Sequence, residues 1–66
     1  MTDRATNADR RQARVQRIAR EAVREASASE GWQAYERAKQ HVRREYGTHV
    51  PGYDAIIDEI KDRLEI

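Results

Sequence analysis

The chain has 66 residues with no cysteine, one Pro and three Gly, and its thirteen Lys and Arg nearly balance twelve Asp and Glu. That length allows one small domain, which removes only about 60% of the unfolded surface from water, and the lack of cysteine excludes both a disulfide framework and a thiolate metal site. The net charge of +1 conceals a polarised chain: residues 1–20 carry +4, residues 21–31 carry −2, residues 32–49 carry +2 and residues 50–66 carry −3. Such polarity points to binding rather than catalysis.

Residues 1–7 are polar and aperiodic and are expected to form a flexible leader, with Asn7 capping a first helix over 8–26. In that helix Ala8, Val15, Ile18, Ala19, Ala22, Val23 and Ala26 recur at three-, four- and seven-residue spacings, which gathers them on one face. Arg10, Arg14, Arg17, Arg20 and Arg24 fall on the opposite face, and Arg11 adds to the same basic end. Glu21 stands within one turn of both Arg17 and Arg24, so the second half of the helix is expected to neutralise itself. Arg10, Arg11, Arg14 and Arg17 have almost no nearby acid.

Ser27 and Glu30, three residues apart, have the form of a capping box for a second helix over 28–46. Because one Gly costs a helix only about 1 kcal/mol relative to Ala, Gly31 leaves open whether the first two helices are separate or one rod. Trp32, Tyr35, Ala38, Val42 and Tyr46 mark an apolar face, and Gly47 is the expected left-handed C-cap. Pro51 fits the first position of a third helix over 51–65. Its apolar stripe, Tyr53, Ile56, Ile57, Ile60 and Leu64, is the strongest in the chain, with Asp54, Asp58, Glu59, Asp62 and Glu65 on the remaining faces.

Leu, Ile, Val and Phe together make up only ten residues, a share associated with disorder, but ten Ala and abundant Arg, Glu, Gln and Asp supply helix-forming material. The expected architecture is therefore all-α: a small three-helix domain, with a long basic N-terminal helix and a C-terminal helical hairpin. Trp32, Tyr35, Val42, Tyr46, Tyr53, Ile56, Ile57, Ile60 and Leu64 form its expected core, joined by Val15, Ile18, Ala22 and Val23.

Arg10, Arg11, Arg14, Arg17 and Arg20 are the candidate anion- or partner-binding residues, since guanidinium groups at helical spacing can meet successive phosphates or an acidic protein surface. Val15, Ile18, Ala19, Ala22, Val23 and Ala26 form a small-residue face suited to close helix packing, within the chain or against a second copy. That face carries too little apolar area for a membrane anchor, and no run approaches the ~18 apolar residues of a membrane span. His41, Glu45 and His49 are spaced for metal ligation only on an unbroken helix, and Gly47 breaks it. The second and third helices have the spacing of a helix-turn-helix, but the recognition helix would be acidic and repelled by phosphate. Asp58 with Asp62 lack a pocket that could hold an acid and a base apart, and Ser27 and Ser29 read as caps rather than nucleophiles.

These readings lead to a non-enzymatic, cytoplasmic interaction or regulatory protein with no cofactor, no metal and no membrane association. Its expected partner is a protein or a second copy of itself, in a homo-oligomer. The alternative is a nucleic-acid-binding accessory or transcription-regulatory protein that uses the arginine stripe.

Overall fold

The computed structural model describes residues 3–66, with side chains from residue 8 onward. Three helices make up the chain, α1 (Asp3–Glu25), α2 (Gly31–Glu45) and α3 (Tyr53–Leu64), and there is no strand among the described residues. The molecule measures 43 × 22 × 15 Å. Its long axis follows from α1, whose 23 residues far outrun its two neighbours.

The first helix starts earlier than its sequence suggests. Met1 and Thr2 of the expected leader lie outside the described residues, and the backbone is helical from Asp3, so Asn7 sits inside the helix rather than at its cap. The polar composition of residues 3–7 hides the start, because the sequence carries no apolar period there.

The break after α1 is real. Ser27 N–H returns to the Arg24 carbonyl at 3.1 Å and Ser29 N–H to that of Ala26 at 2.9 Å, which unwinds α1 through turns. Glu30 is the N-cap of α2, with extended backbone (φ −133°, ψ 154°) and no side-chain cap bond, so the expected capping box from Ser27 does not form. Gly31 follows at φ +58°, in the left-handed region where a Cβ is penalised. This conformation turns the chain back along α1 and rules out a single rod.

At the far end of α2, Gly47 N–H bonds the carbonyls of Val42 and Arg43 at 3.2 and 3.0 Å, closing the helix as its spacing suggested. Pro51 does not open α3. It occupies the second position of a turn in which Tyr53 N–H reaches the Val50 carbonyl at 3.1 Å, and Gly52 takes the third position at φ +81°, ψ 18°, the geometry of a type II turn. Gly52 is constrained twice, since a Cβ there would also lie 3.2 Å from Val15 Cγ2. The turn thereby fixes the start of α3 against the middle of α1.

The core comprises Val15, Ile18, Ala19 and Ala22 of α1 with Ala26 in the turn after it, Ala34, Tyr35, Ala38 and Val42 of α2, and Ile56, Ile57 and Ile60 of α3, with Val23, Val50, Tyr53 and Leu64 at its margin. α1 is the central element and packs on both α2 and α3, which touch each other less extensively. The arrangement is thus a three-helix domain in which α2 and α3 both pack on α1 and also touch each other. Two expected core residues fall outside: Trp32 is 64% exposed and Tyr46 is 37% exposed.

The α2 face explains both misplacements. Its buried residues are Ala34, Tyr35, Ala38, His41 and Val42, a stripe whose centre lies roughly 120° around the helix from Trp32. Small side chains set this rotation. Ala19, Ala22 and Ala26 facing Ala34 and Ala38 let α1 and α2 approach closely, and that contact prevails over the larger aromatic stripe.

Candidate functional site

α1 divides at Val15. From that residue on, one face is buried, whereas residues 8–13 are exposed without exception. The neighbouring elements meet α1 on the C-terminal side of the exposed segment: Gly52, at the start of α3, meets Val15, and Tyr46, which caps the C-terminus of α2, bonds Glu21. Residues 8–14, all exposed except the half-buried Arg14 that joins them to the bundle, form a helical segment about 10 Å long at 1.5 Å per residue. We call this segment the arm.

The arm and its root carry the candidate arginines. Arg10, Arg11, Arg17 and Arg20 are exposed and Arg14 is half-buried, and Arg10, Arg11, Arg14 and Arg17 line one shallow open groove with Ala13. Arg14 Nε is buried and has no hydrogen-bond partner among the described residues. None of the five arginines lies within ion-pair distance of a carboxylate among those residues, because the pairs that form are elsewhere: Lys39–Glu36, His41–Glu21, Arg44–Glu45 and Arg63–Glu59. Arg43 and Arg44 are exposed in the last turn of α2, where Arg44 lies 3.9 Å from Glu45.

Glu21 does not neutralise α1. Instead of Arg17 or Arg24 it faces α2, accepting a 2.8 Å hydrogen bond from the Tyr46 hydroxyl through Oε1 and placing Oε2 3.5 Å from His41 Nε2. Helical spacing made the Arg pairs available, but tertiary packing brought two competing partners to the same carboxylate. The Glu21 bond holds the Tyr46 hydroxyl in its neutral form and raises its pKa above 10.0; desolvation and the Glu21 charge act in the same direction, and Arg17 acts against them. His41 was legible only as a residue on a helix; its burial at 7% exposure follows from the rotated α2 face.

The small-residue face of α1 is occupied within the chain. Val15, Ile18, Ala19, Ala22 and Ala26 are buried and Val23 is packed at the core margin, so a second copy has no access to it in this fold. The acidic residues of α3 do not meet the arginine stripe either, since Glu59 bonds Arg63 of its own helix at 3.1 Å. Asp58 and Asp62 are exposed. His49 lies past the end of α2, off the line of His41 and Glu45, and the described residues contain no cluster of three or more potential metal ligands.

A second surface feature escaped the sequence reading. Trp32 stands exposed with its ring 4.9 Å from that of Tyr35 at an interplanar angle of 42°, and the Lys39 and Lys61 ammonium groups lie 5.1 and 5.6 Å from the Tyr35 ring centroid. Tyr35 thus anchors one edge of the core while Trp32 rests on its outer side. No described helix is long and apolar enough to cross a membrane.

No protein-family model, curated protein or solved structure matches the chain.

Proposed function

We propose that this chain is a small non-enzymatic interaction protein that docks on a larger, anionic partner through the arm of α1. The observation that carries this reading is the separation within α1: its apolar residues are used by the chain's own core, while Arg10, Arg11, Arg14, Arg17 and Arg20 meet no carboxylate among residues 8–66. A cationic helix that serves no internal packing purpose is an available binding surface. Self-association through the small-residue face loses its support, because that face is filled by α2 and α3.

The reading is tested by the mass of the complex purified under native conditions from the source. The chain is expected in an assembly well above its own 7.7 kDa. With Arg10, Arg11, Arg14 and Arg17 all replaced by Gln, it is expected to purify alone with an unchanged helical circular-dichroism spectrum. An assembly of unchanged mass and composition around that variant would show that the arm is not the docking element.

A further inference from the structure

We propose that the anionic partner of the arm is duplex DNA, with the arm lying in the major groove and its arginines on the bounding phosphates. This rests on the reading of the arm as the docking element and adds the class of its partner.

Shape gives the first argument. An α-helix with its side chains is about 10–12 Å across, and the major groove of B-DNA, about 12 Å wide, admits one. Residues 8–13 of the arm are all exposed, so no packed element stands between them and the groove walls. The deep, narrow major groove of A-form RNA does not admit side chains in this way.

Chemistry gives the second. Protein interfaces draw most of their energy from buried anchors, above all Trp, Tyr and Arg seated in pockets. Between Ala8 and Arg14 the arm presents only Ala, Asp, Arg and Gln, all exposed except the half-buried Arg14, so it has no apolar group to anchor in a protein partner. Exposed ion pairs with an acidic protein are each worth only about 0–1 kcal/mol. A duplex rewards the same side chains differently, because each neutralised phosphate releases condensed counterions.

Placement gives the third. On the helical wheel Arg10 and Arg17 lie close together, Arg14 lies roughly 40° beyond Arg10 and Arg11 roughly 100° beyond it. The cations therefore occupy one sector of the helix about 120° wide, which turns them together toward a phosphate wall of the groove. Meanwhile the arm is costly as an isolated element: its arginines repel one another at one-turn spacing, and the exposed residues 8–13 receive no stabilisation from packing. Bound phosphate relieves the repulsion, so DNA binding and arm helicity are coupled.

The test uses the full chain and a fluorescein-labelled 20-base-pair DNA duplex of mixed sequence, followed by anisotropy between 50 and 200 mM salt. With four phosphates neutralised, at a slope of about −0.9 per phosphate, affinity is expected to fall roughly a hundredfold across that range. Replacing Arg10, Arg11, Arg14 and Arg17 by Gln is expected to weaken binding at least tenfold at 50 mM salt and flatten the salt dependence, while replacing them by Lys preserves most of both. Helical circular dichroism, corrected for DNA, is expected to rise on binding for the wild type and not for the Gln variant.

An RNA duplex bound as tightly as DNA would overturn the major-groove seat. Absence of DNA binding, with arm-dependent binding of poly-L-glutamate, would overturn the partner class and leave the arm as the docking element. DNA binding unchanged in the Gln variant, or no binding of either polyanion, would overturn both.

Discussion

The two halves of α1 share one continuous helical backbone and have opposite surroundings. From Val15 onward the helix carries the core of the domain, with Val15, Ile18, Ala19, Ala22 and, in the turn after it, Ala26 almost fully enclosed. Before Val15, Arg14 is half-buried and residues 8–13 are exposed, among them Arg10, Arg11 and Gln12. Helix formation alone does not distinguish these halves; burial does. The comparison separates what holds the protein together from what it can offer a partner, and makes both separately testable.

The largest effect is expected on the enclosed side. Ile18 is 1% exposed and among the largest fully buried side chains. Ile18→Ala removes three heavy atoms from a site wedged between two other helices and is expected to cost about 2–5 kcal/mol. A domain this small has little stability in reserve, so urea or thermal unfolding followed by circular dichroism should show a midpoint near or below room temperature. Loss of only a few tenths of a kcal/mol would mean that the core does not close around α1.

The sequence disclosed the half of the molecule that repeats. Ile56, Ile57 and Ile60 stood out because large apolar residues at helical spacing have few alternative explanations, and all three are buried. The Gly47 cap was legible for a similar reason, since one residue type satisfies one backbone geometry. What the sequence concealed was relative rotation. Trp32 and Tyr46 outweigh Ala34 and Ala38 on any hydropathy scale, yet the alanines face inward, because close approach of two backbones rewards small side chains in a way no single-helix pattern records. The same gap hid the candidate site's boundary: the arginine stripe could be drawn from spacing, but the point where α1 leaves the bundle depends on where α2 and α3 end. It also hid the fate of Glu21, whose partners Tyr46 and His41 are 25 and 20 positions away in sequence.

Glu21 is an exposed residue on the enclosed half of α1, and an intermediate effect is expected there. Tyr46→Phe deletes one hydroxyl that donates to Glu21 at 2.8 Å. The pair is partly exposed, so the loss is expected near the lower end of the usual range for a hydrogen bond, about 0.5 kcal/mol. Its pH dependence is more diagnostic. Folding raises the Tyr46 pKa above 10.0, so its contribution is fully present below the unfolded pKa and is lost as pH rises through the folded one. Wild-type stability should therefore fall faster than that of Tyr46→Phe above pH 10, and equal slopes would mean that the bond does not persist in solution.

The smallest effect on stability is expected on the arm, and its sign is the informative part. Arg10→Glu replaces a like charge one turn from Arg14 with an opposite one, a change that favours the helix by a few tenths of a kcal/mol. Because residues 8–13 contribute nothing to the enclosed core, this gain is local. It should appear as increased helical circular dichroism at low salt, fading as salt screens the charges, while the cooperative melting midpoint moves by no more than about 2 °C. A surface residue whose replacement improves its own helix is not kept there by folding. A fall in helicity, or a midpoint shift comparable to that of Ile18→Ala, would instead place Arg10 inside the packed structure and remove the distinction between the two halves of α1.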